Sequence, residues 1–131
     1  ICGLTRNSDW KDIVRAVIES VAYQSFDLLR SMNNDGLKPR IIKVDGGMVS
    51  NDWFLQFLSD ILDIKVIRSK IQETTALGAA FIAGYQIDVY KSLNSISKKW
   101  KINRRFSRKI DKSYRSKLLK GWQQAIKRTL V

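Results

Sequence analysis

The run from Arg40 to Leu62 constrains this chain most, because it reads as a strand, a diglycine bend and a helix in direct succession. Arg40-Ile41-Ile42-Lys43-Val44 is short, apolar and rich in β-branched residues, which favour the extended backbone, and Asp45-Gly46-Gly47 ends it. Ser50 is then the expected cap of a helix whose apolar positions are Trp53, Phe54, Phe57, Leu58, Ile61 and Leu62. The bend lies at the C-terminal end of the strand, where open α/β sheets bind ligands. Without Cβ atoms, Gly46 and Gly47 offer bare main chain against which a flat ring or a phosphate can lie. The pattern is half of a nucleotide site, and the other half is expected outside these residues.

The flanking residues extend the same architecture. Trp10, Ile13, Val14, Val17, Ile18, Val21 and Ala22, continuing to Leu28, Leu29 and Met32, predict a long amphipathic helix with one broad buried face. Ser8 or Asp9 caps its start, Asn33-Asn34-Asp35-Gly36 stops it, and Pro39 suits the entry to the first strand. Lys65-Val66-Ile67-Arg68 reads as a second short strand. A third helix is expected from Ala76 to about Tyr85, opened by Glu73-Thr74-Thr75 with the threonines as caps. Its Gly78, Ala79, Ala80, Ala83 and Gly84 predict close packing on the sheet, since glycine lowers helix propensity. Asn94 to Phe106 shows little periodicity and reads as a connection. Lys112 to Leu130 returns to helix, with Leu118, Leu119, Trp122, Ala125 and Ile126 along one face.

The expected fold class is therefore α/β, in the order α-β-α-β-α plus a C-terminal helix. Two strands joined through a helix should be parallel, with a right-handed crossover. Two strands alone leave edges and faces uncovered, so the first strands of the domain are expected upstream or on another chain. The chain also opens on Ile1 rather than Met, which suits a piece of a longer protein.

Charge divides the chain. Residues 1–90 hold ten Lys/Arg against eleven Asp/Glu, a net of −1, whereas residues 91–131 hold fourteen against the single Asp111, a net of +13. The front reads as a near-neutral core and the back as a basic linker and helix. Such a tail can attract nucleic acid or an anionic membrane surface. The reading adopted is a solvated helical face, with nucleic acid not expected as a partner. A chain without histidine and with only Cys2 gives little basis for a zinc site, a His-based triad or an internal disulfide, and a lone thiol suits a reducing cytosol. No apolar run is long enough to span a bilayer.

Several motifs together resemble the FGGY carbohydrate kinases, and within them the glycerol kinase pattern. They are Gly3-Leu4-Thr5-Arg6 with Asp12 through Gln24, and Val44-Asp45-Gly46-Gly47 with Asn51. Gln56-Phe57, Ser59-Asp60-Ile61-Leu62, Glu73 through Ala80 with Ala83-Gly84, and Gly121-Trp122 before Ala125 and Lys127-Arg128 continue the series. The chain departs from the pattern at Ser69, where a proline is common, at Asp63, where glycine or asparagine is common, and in lacking a proline soon after Phe106.

The resemblance implies the C-terminal part of the second of two actin-like, ribonuclease-H-like domains. Residues 1–90 would form its nucleotide-side core and residues 91–131 its basic linker and last helix. It implies ATP in the cleft between the domains, Mg2+ held mainly by the part outside this chain, and transfer of the γ-phosphoryl group to glycerol. It carries Gly47 to the adenine of ATP or ADP, Asn51 to the same end of the nucleotide, and Gly46 to the bend that shapes the contact. The catalytic aspartate falls upstream of Ile1, so no catalytic residue is assigned, and Asp45 is expected to cap the strand–helix turn. A cytoplasmic homo-oligomer is implied for the intact enzyme. Another sugar kinase of the family, of xylulokinase type, and a stand-alone basic binding module are the alternatives.

Overall fold

A computed structural model describes residues 1–71 and 73–130. The elements are α1 (Trp10–Asn34), β1 (Ile41–Val44), a 3-10 turn (Gly47–Ser50), α2 (Asp52–Leu62), β2 (Lys65–Ser69), α3 (Thr74–Gln86), α4 (Leu93–Ser97), β3 (Ile102–Phe106) and α5 (Lys112–Thr129). The sheet order is β1-β2-β3, with β1 parallel to β2 and β3 antiparallel to it. Ile42 pairs with Val66 and Val66 with Phe106, which lines up one apolar row across all three strands.

The parallel pair and its helical crossover follow the sequence expectation. β3 does not: it comes from the segment read as a connection. Asn103, Arg104 and Arg105 interrupt any alternation there, and all three are exposed. Only Ile102 and Phe106 mark the ends, and Phe106 is buried. An antiparallel edge strand on a parallel sheet covers one face alone, so polar residues are tolerated along it.

Asp9 caps α1 through a reciprocal capping box with Asp12: Lys11 N and Asp12 N donate to Asp9 Oδ1 at 2.8 and 3.1 Å, and Asp9 N donates to Asp12 Oδ2. Gly36, at φ +89°, follows the helix end as the motif there requires. The buried face of α1 is shorter than the pattern predicts. Ala22, Tyr23 and Leu29 are buried against α2, whereas Trp10 and Val17 stay 68% and 60% exposed. In the first turns of α1, Arg15 lies over the Trp53 ring of α2 at 5.6 Å, and Trp10, Val14 and Ile18 line an open groove with Trp53.

α2 lies between α1 and the sheet and carries the centre of the core. Leu55 and Ile61 are fully buried with Val66 of β2, and Phe54, Leu58 and Leu62 surround them. Asp63 ends α2 in the left-handed region, at φ +58°, where glycine or asparagine is usual; its carboxylate pairs with Arg108 at 2.8 Å. α5 closes the layer. Leu119 is buried, Trp122 stacks on Tyr23 at 5.3 Å, and its Nε1 donates to Asp27 Oδ2 at 2.7 Å. Arg115 Nε donates to Ile61 O at 2.8 Å near the C-terminal end of α2, and burial pulls the pKa of this guanidinium down.

α3 overturns two expectations. Neither threonine caps it: Glu73 occupies the cap position without a side-chain bond, and Thr74 already lies in the first turn. Its small residues do not meet the sheet, since α3 has no buried residue and a Cβ added at Gly78 would touch nothing within 4 Å. Close approach occurs only at Gly84, where an added Cβ would stand 2.8 Å from the Tyr90 ring.

Candidate nucleotide half-site

β1 delivers Val44 and Asp45 to the edge of the molecule, and Gly46 then turns the chain. Gly46 adopts φ +91° and ψ −180°, a combination that is almost exclusive to glycine. Gly47–Ser50 follows as a single 3-10 turn: Val49 N donates to Gly46 O and Asn51 N to Met48 O, both at 3.2 Å, and Ser50 Oγ donates to Gly47 O at 2.9 Å. Gly46 and Gly47 are exposed, and a Cβ added to either would meet nothing within 4 Å. The main chain of the bend is thus open to solvent, as the diglycine pattern requires of a contact surface. The two glycines differ in origin: the backbone needs Gly46, but Gly47 lies outside the positive-φ region.

The cap of α2 is Asn51, one residue beyond the expected Ser50. Asn51 has the extended backbone of an N-cap, at φ −82° and ψ +103°, and its Oδ1 accepts from Phe54 N at 3.1 Å. Ser50 is consumed by the 3-10 turn, which a sequence pattern of caps does not reveal. With Oδ1 occupied, the amide nitrogen of exposed Asn51 has no protein partner among the described residues. Asp45 does not cap the turn either. Its carboxylate takes no hydrogen bond among the described residues and lines a cavity of about 410 Å³ on the α3 and α4 side, with Lys43, Ser69, Thr74, Phe81 and Trp100.

Sequence reasoning missed the group beneath the bend. Arg68 of β2 has a side chain only 13% exposed. Its Nη1 donates to Val49 O at 2.7 Å and Ser50 O at 3.4 Å, and its Nε donates to Asn103 Oδ1 of β3 at 2.8 Å. The same guanidinium pairs with Asp52 Oδ1 at 2.8 Å, and Asp52 also receives Arg104 of β3. The signal was the spacing: Arg68 is two residues from buried Val66, so it points to the α2 side of its strand.

Asp60, buried in α2, accepts from Gln56 Nε2 at 3.0 Å and Lys109 N at 2.7 Å, and Gln56 Nε2 donates also to Ser107 O. These residues tether the segment after β3. Among the described residues no three acids, histidines or cysteines gather in a way that would hold a metal ion. No helix among the described residues is long and apolar enough to cross a membrane.

The model of the C-terminal domain of the FGGY family of carbohydrate kinases matches residues 1–87, and the chain belongs to that family. The glycerol kinase of Gluconobacter oxydans is 50% identical over 132 residues, covering 100% of this chain and 26% of the relative. Glycerol kinase 1 of Pseudomonas aeruginosa is 46% identical, covering 98% and 26%. Among solved structures, Plasmodium falciparum glycerol kinase with ADP superposes with a TM-score of 0.85 at 37% identity, covering 98% of this chain and 26% of that one. A xylulose kinase from Rhodospirillum rubrum superposes with a TM-score of 0.75 at 19% identity, a likeness of fold alone. The fold is thus the actin-like, ribonuclease-H-like one of these kinases. The chain spans about a quarter of the length of the curated relatives it matches.

Proposed function

We propose that this chain is the nucleotide-side portion of an ATP-dependent glycerol kinase, contributing the adenine end of the ATP site. The observation that carries the reading is the open bend at Gly46-Gly47 beside the unpaired amide nitrogen of Asn51. Gly47 offers bare main chain to the flat face of the purine, Asn51 Nδ2 donates to an acceptor on its edge, and Gly46 sets the turn that brings them together. The identity to glycerol kinases favours glycerol over a pentulose, because the ligand-bound xylulose kinase of Lactobacillus acidophilus is only 22% identical.

In the proposed reaction a hydroxyl oxygen of glycerol attacks the γ-phosphorus of ATP and the bond to the β-phosphate oxygen breaks. The hydroxyl proton passes to a carboxylate outside this chain, and sn-glycerol 3-phosphate and ADP leave. Such transfer depends on positioning and charge stabilisation, so a remote grip on the base aids the reacting end by holding the nucleotide in register. Residues outside this chain would mainly hold Mg2+, which would supply positive charge to offset that of the phosphates.

A chimera tests this reading: the last quarter of the Gluconobacter oxydans enzyme is replaced by this chain, and ATP-dependent phosphorylation of glycerol is measured. Activity is expected, and a folded chimera with none refutes the assignment. Asn51→Ser in that chimera keeps a cap oxygen and removes the amide donor. It should raise the KM for ATP about 5- to 20-fold with little change in Tm, the loss expected of one hydrogen bond. An unchanged KM removes Asn51 from the site.

A further inference from the structure

We infer that Arg68 is the positioning residue of the nucleotide half-site, a role that rests on reading Gly47 and Asn51 as its contacts. The Gly47–Ser50 turn is one residue short of an α-helical turn, and its internal bonds use the carbonyls of Gly46, Gly47 and Met48. The carbonyls of Val49 and Ser50 are left over, and Arg68 takes both. Those two carbonyls belong to the peptide groups that link Val49 to Ser50 and Ser50 to Asn51. Fixing them fixes the direction in which the chain enters Asn51, and hence where its side chain points.

The clamp is built from both neighbouring strands. Arg68 stands on β2, its Nε is held by Asn103 on β3, and Asp52 at the start of α2 is shared with Arg104 of β3. A guanidinium suits the task because its planar fork donates in several directions at once, whereas an ammonium is a single point charge. Val49 anchors the turn in the core, but exposed Gly46, Gly47 and Ser50 have no side-chain packing to hold their main chain still. The open face of Gly47 and the clamped underside of the turn are therefore two parts of one device: the upper surface stays free because the lower one is held.

The test uses the chimera in which this chain replaces the last quarter of the Gluconobacter oxydans enzyme, with amide hydrogen exchange and ADP binding measured on the parent chimera, Arg68→Gln and Arg68→Lys. In Arg68→Gln the amides of Asn51 and Phe54 should exchange at least about tenfold faster, as expected on losing a charged donor from the part-buried Val49 carbonyl and the exposed Ser50 carbonyl. The amides of Leu58 to Leu62 should hold their rates, which separates a loosened turn from general destabilisation. Arg68→Lys should recover part of the protection, and Asn103→Ala, which removes only the far anchor, should move the same amides by less. The Kd for ADP should rise at least fivefold in Arg68→Gln. Unchanged exchange at Asn51 and Phe54, or an ADP affinity equal to that of a parent that binds, overturns the inference. If the parent fails to bind ADP while Arg68→Gln still loosens the turn, the clamp stands and the nucleotide reading of Gly47 and Asn51 falls.

Discussion

Gly46 and Gly47 are adjacent, both exposed and both free of neighbours, yet alanine should act on them in opposite ways. At Gly46 the backbone sits at φ +91° and ψ −180°, where a Cβ collides with its own main chain. Open space around the residue gives no relief, because the strain is internal. Holding an L-residue there costs about 1–3 kcal/mol, and the stricter exclusion of this region favours the upper half, about 2–3 kcal/mol. For a chain of this size each kcal/mol moves Tm by about 4 °C, so Gly46→Ala should melt about 8–12 °C below the parent. Gly47 needs no left-handed backbone. Gly47→Ala should leave Tm within ~2 °C or raise it, since alanine narrows the unfolded ensemble by about 0.4–1 kcal/mol. Binding should reverse the ranking of harm: the methyl of Gly47→Ala occupies the space offered to the purine and should weaken ADP at least about fivefold. Thermal and urea unfolding followed by circular dichroism, with ADP titration beside them, read both quantities. The reasoning is refuted if Gly46→Ala melts with the parent, or if Gly47→Ala loses as much stability as Gly46→Ala.

Two further outcomes follow from the α1–α5 contact. Tyr23 is buried, and desolvation first and the charge of Glu19 second push its phenol up to about 12. The unfolded chain then releases this proton first, near pH 10, and so binds fewer protons than the folded one. Stability from this residue is complete below about pH 10 and falls by about 2–3 kcal/mol as pH rises towards 12. Urea unfolding from pH 8 to 11.5 should show that slope reduced in Tyr23→Phe; identical slopes would remove Tyr23 as its source. Trp122→Phe should destabilise by about 2 kcal/mol, because it deletes the Nε1 bond to Asp27 and trims the ring stacked on Tyr23. A double-mutant cycle with Asp27→Ala should return a coupling of about 1–2 kcal/mol, and a value near zero would show the bond to contribute nothing.

The sequence was most legible where local chemistry and burial agree. Asp9 as cap and Gly36 after the end bound α1 where the pattern puts them, and Phe54, Leu58, Ile61 and Leu62 of α2 are buried as their spacing predicts, whereas Trp53 of that face is 44% exposed and Leu55, outside it, is fully buried. The bend at Gly46 was legible for the same reason. Legibility failed where the deciding partner is distant in sequence. β3 forms because β2 offers it a free edge, although its own residues alternate poorly. Asn51 displaces Ser50 as the cap because a 3-10 turn absorbs Ser50 first. Arg68 reads as one more basic residue until Val49, Asp52 and Asn103 converge on it from three different elements.

A different kind of failure separates α3 and the first turns of α1 from these cases. There the pattern was read correctly as apolar, and the faces are nevertheless open: Trp10, Val14 and Val17 on α1, and Ile82 and Tyr85 on α3. Periodicity tells which face of a helix is encoded for burial, but carries no information about what buries it. A helix of small residues with nothing against Gly78 is a helix shaped for a surface it does not touch here. The set around Leu55, Ile61 and Val66 is buried within this chain, whereas Trp10 and Val17 of α1 and Ile82 of α3 stay exposed. The bend at Gly46-Gly47 has both kinds of surface: Arg68 holds its underside from within the chain, and its upper side is open, the face that the proposed reading gives to the nucleotide.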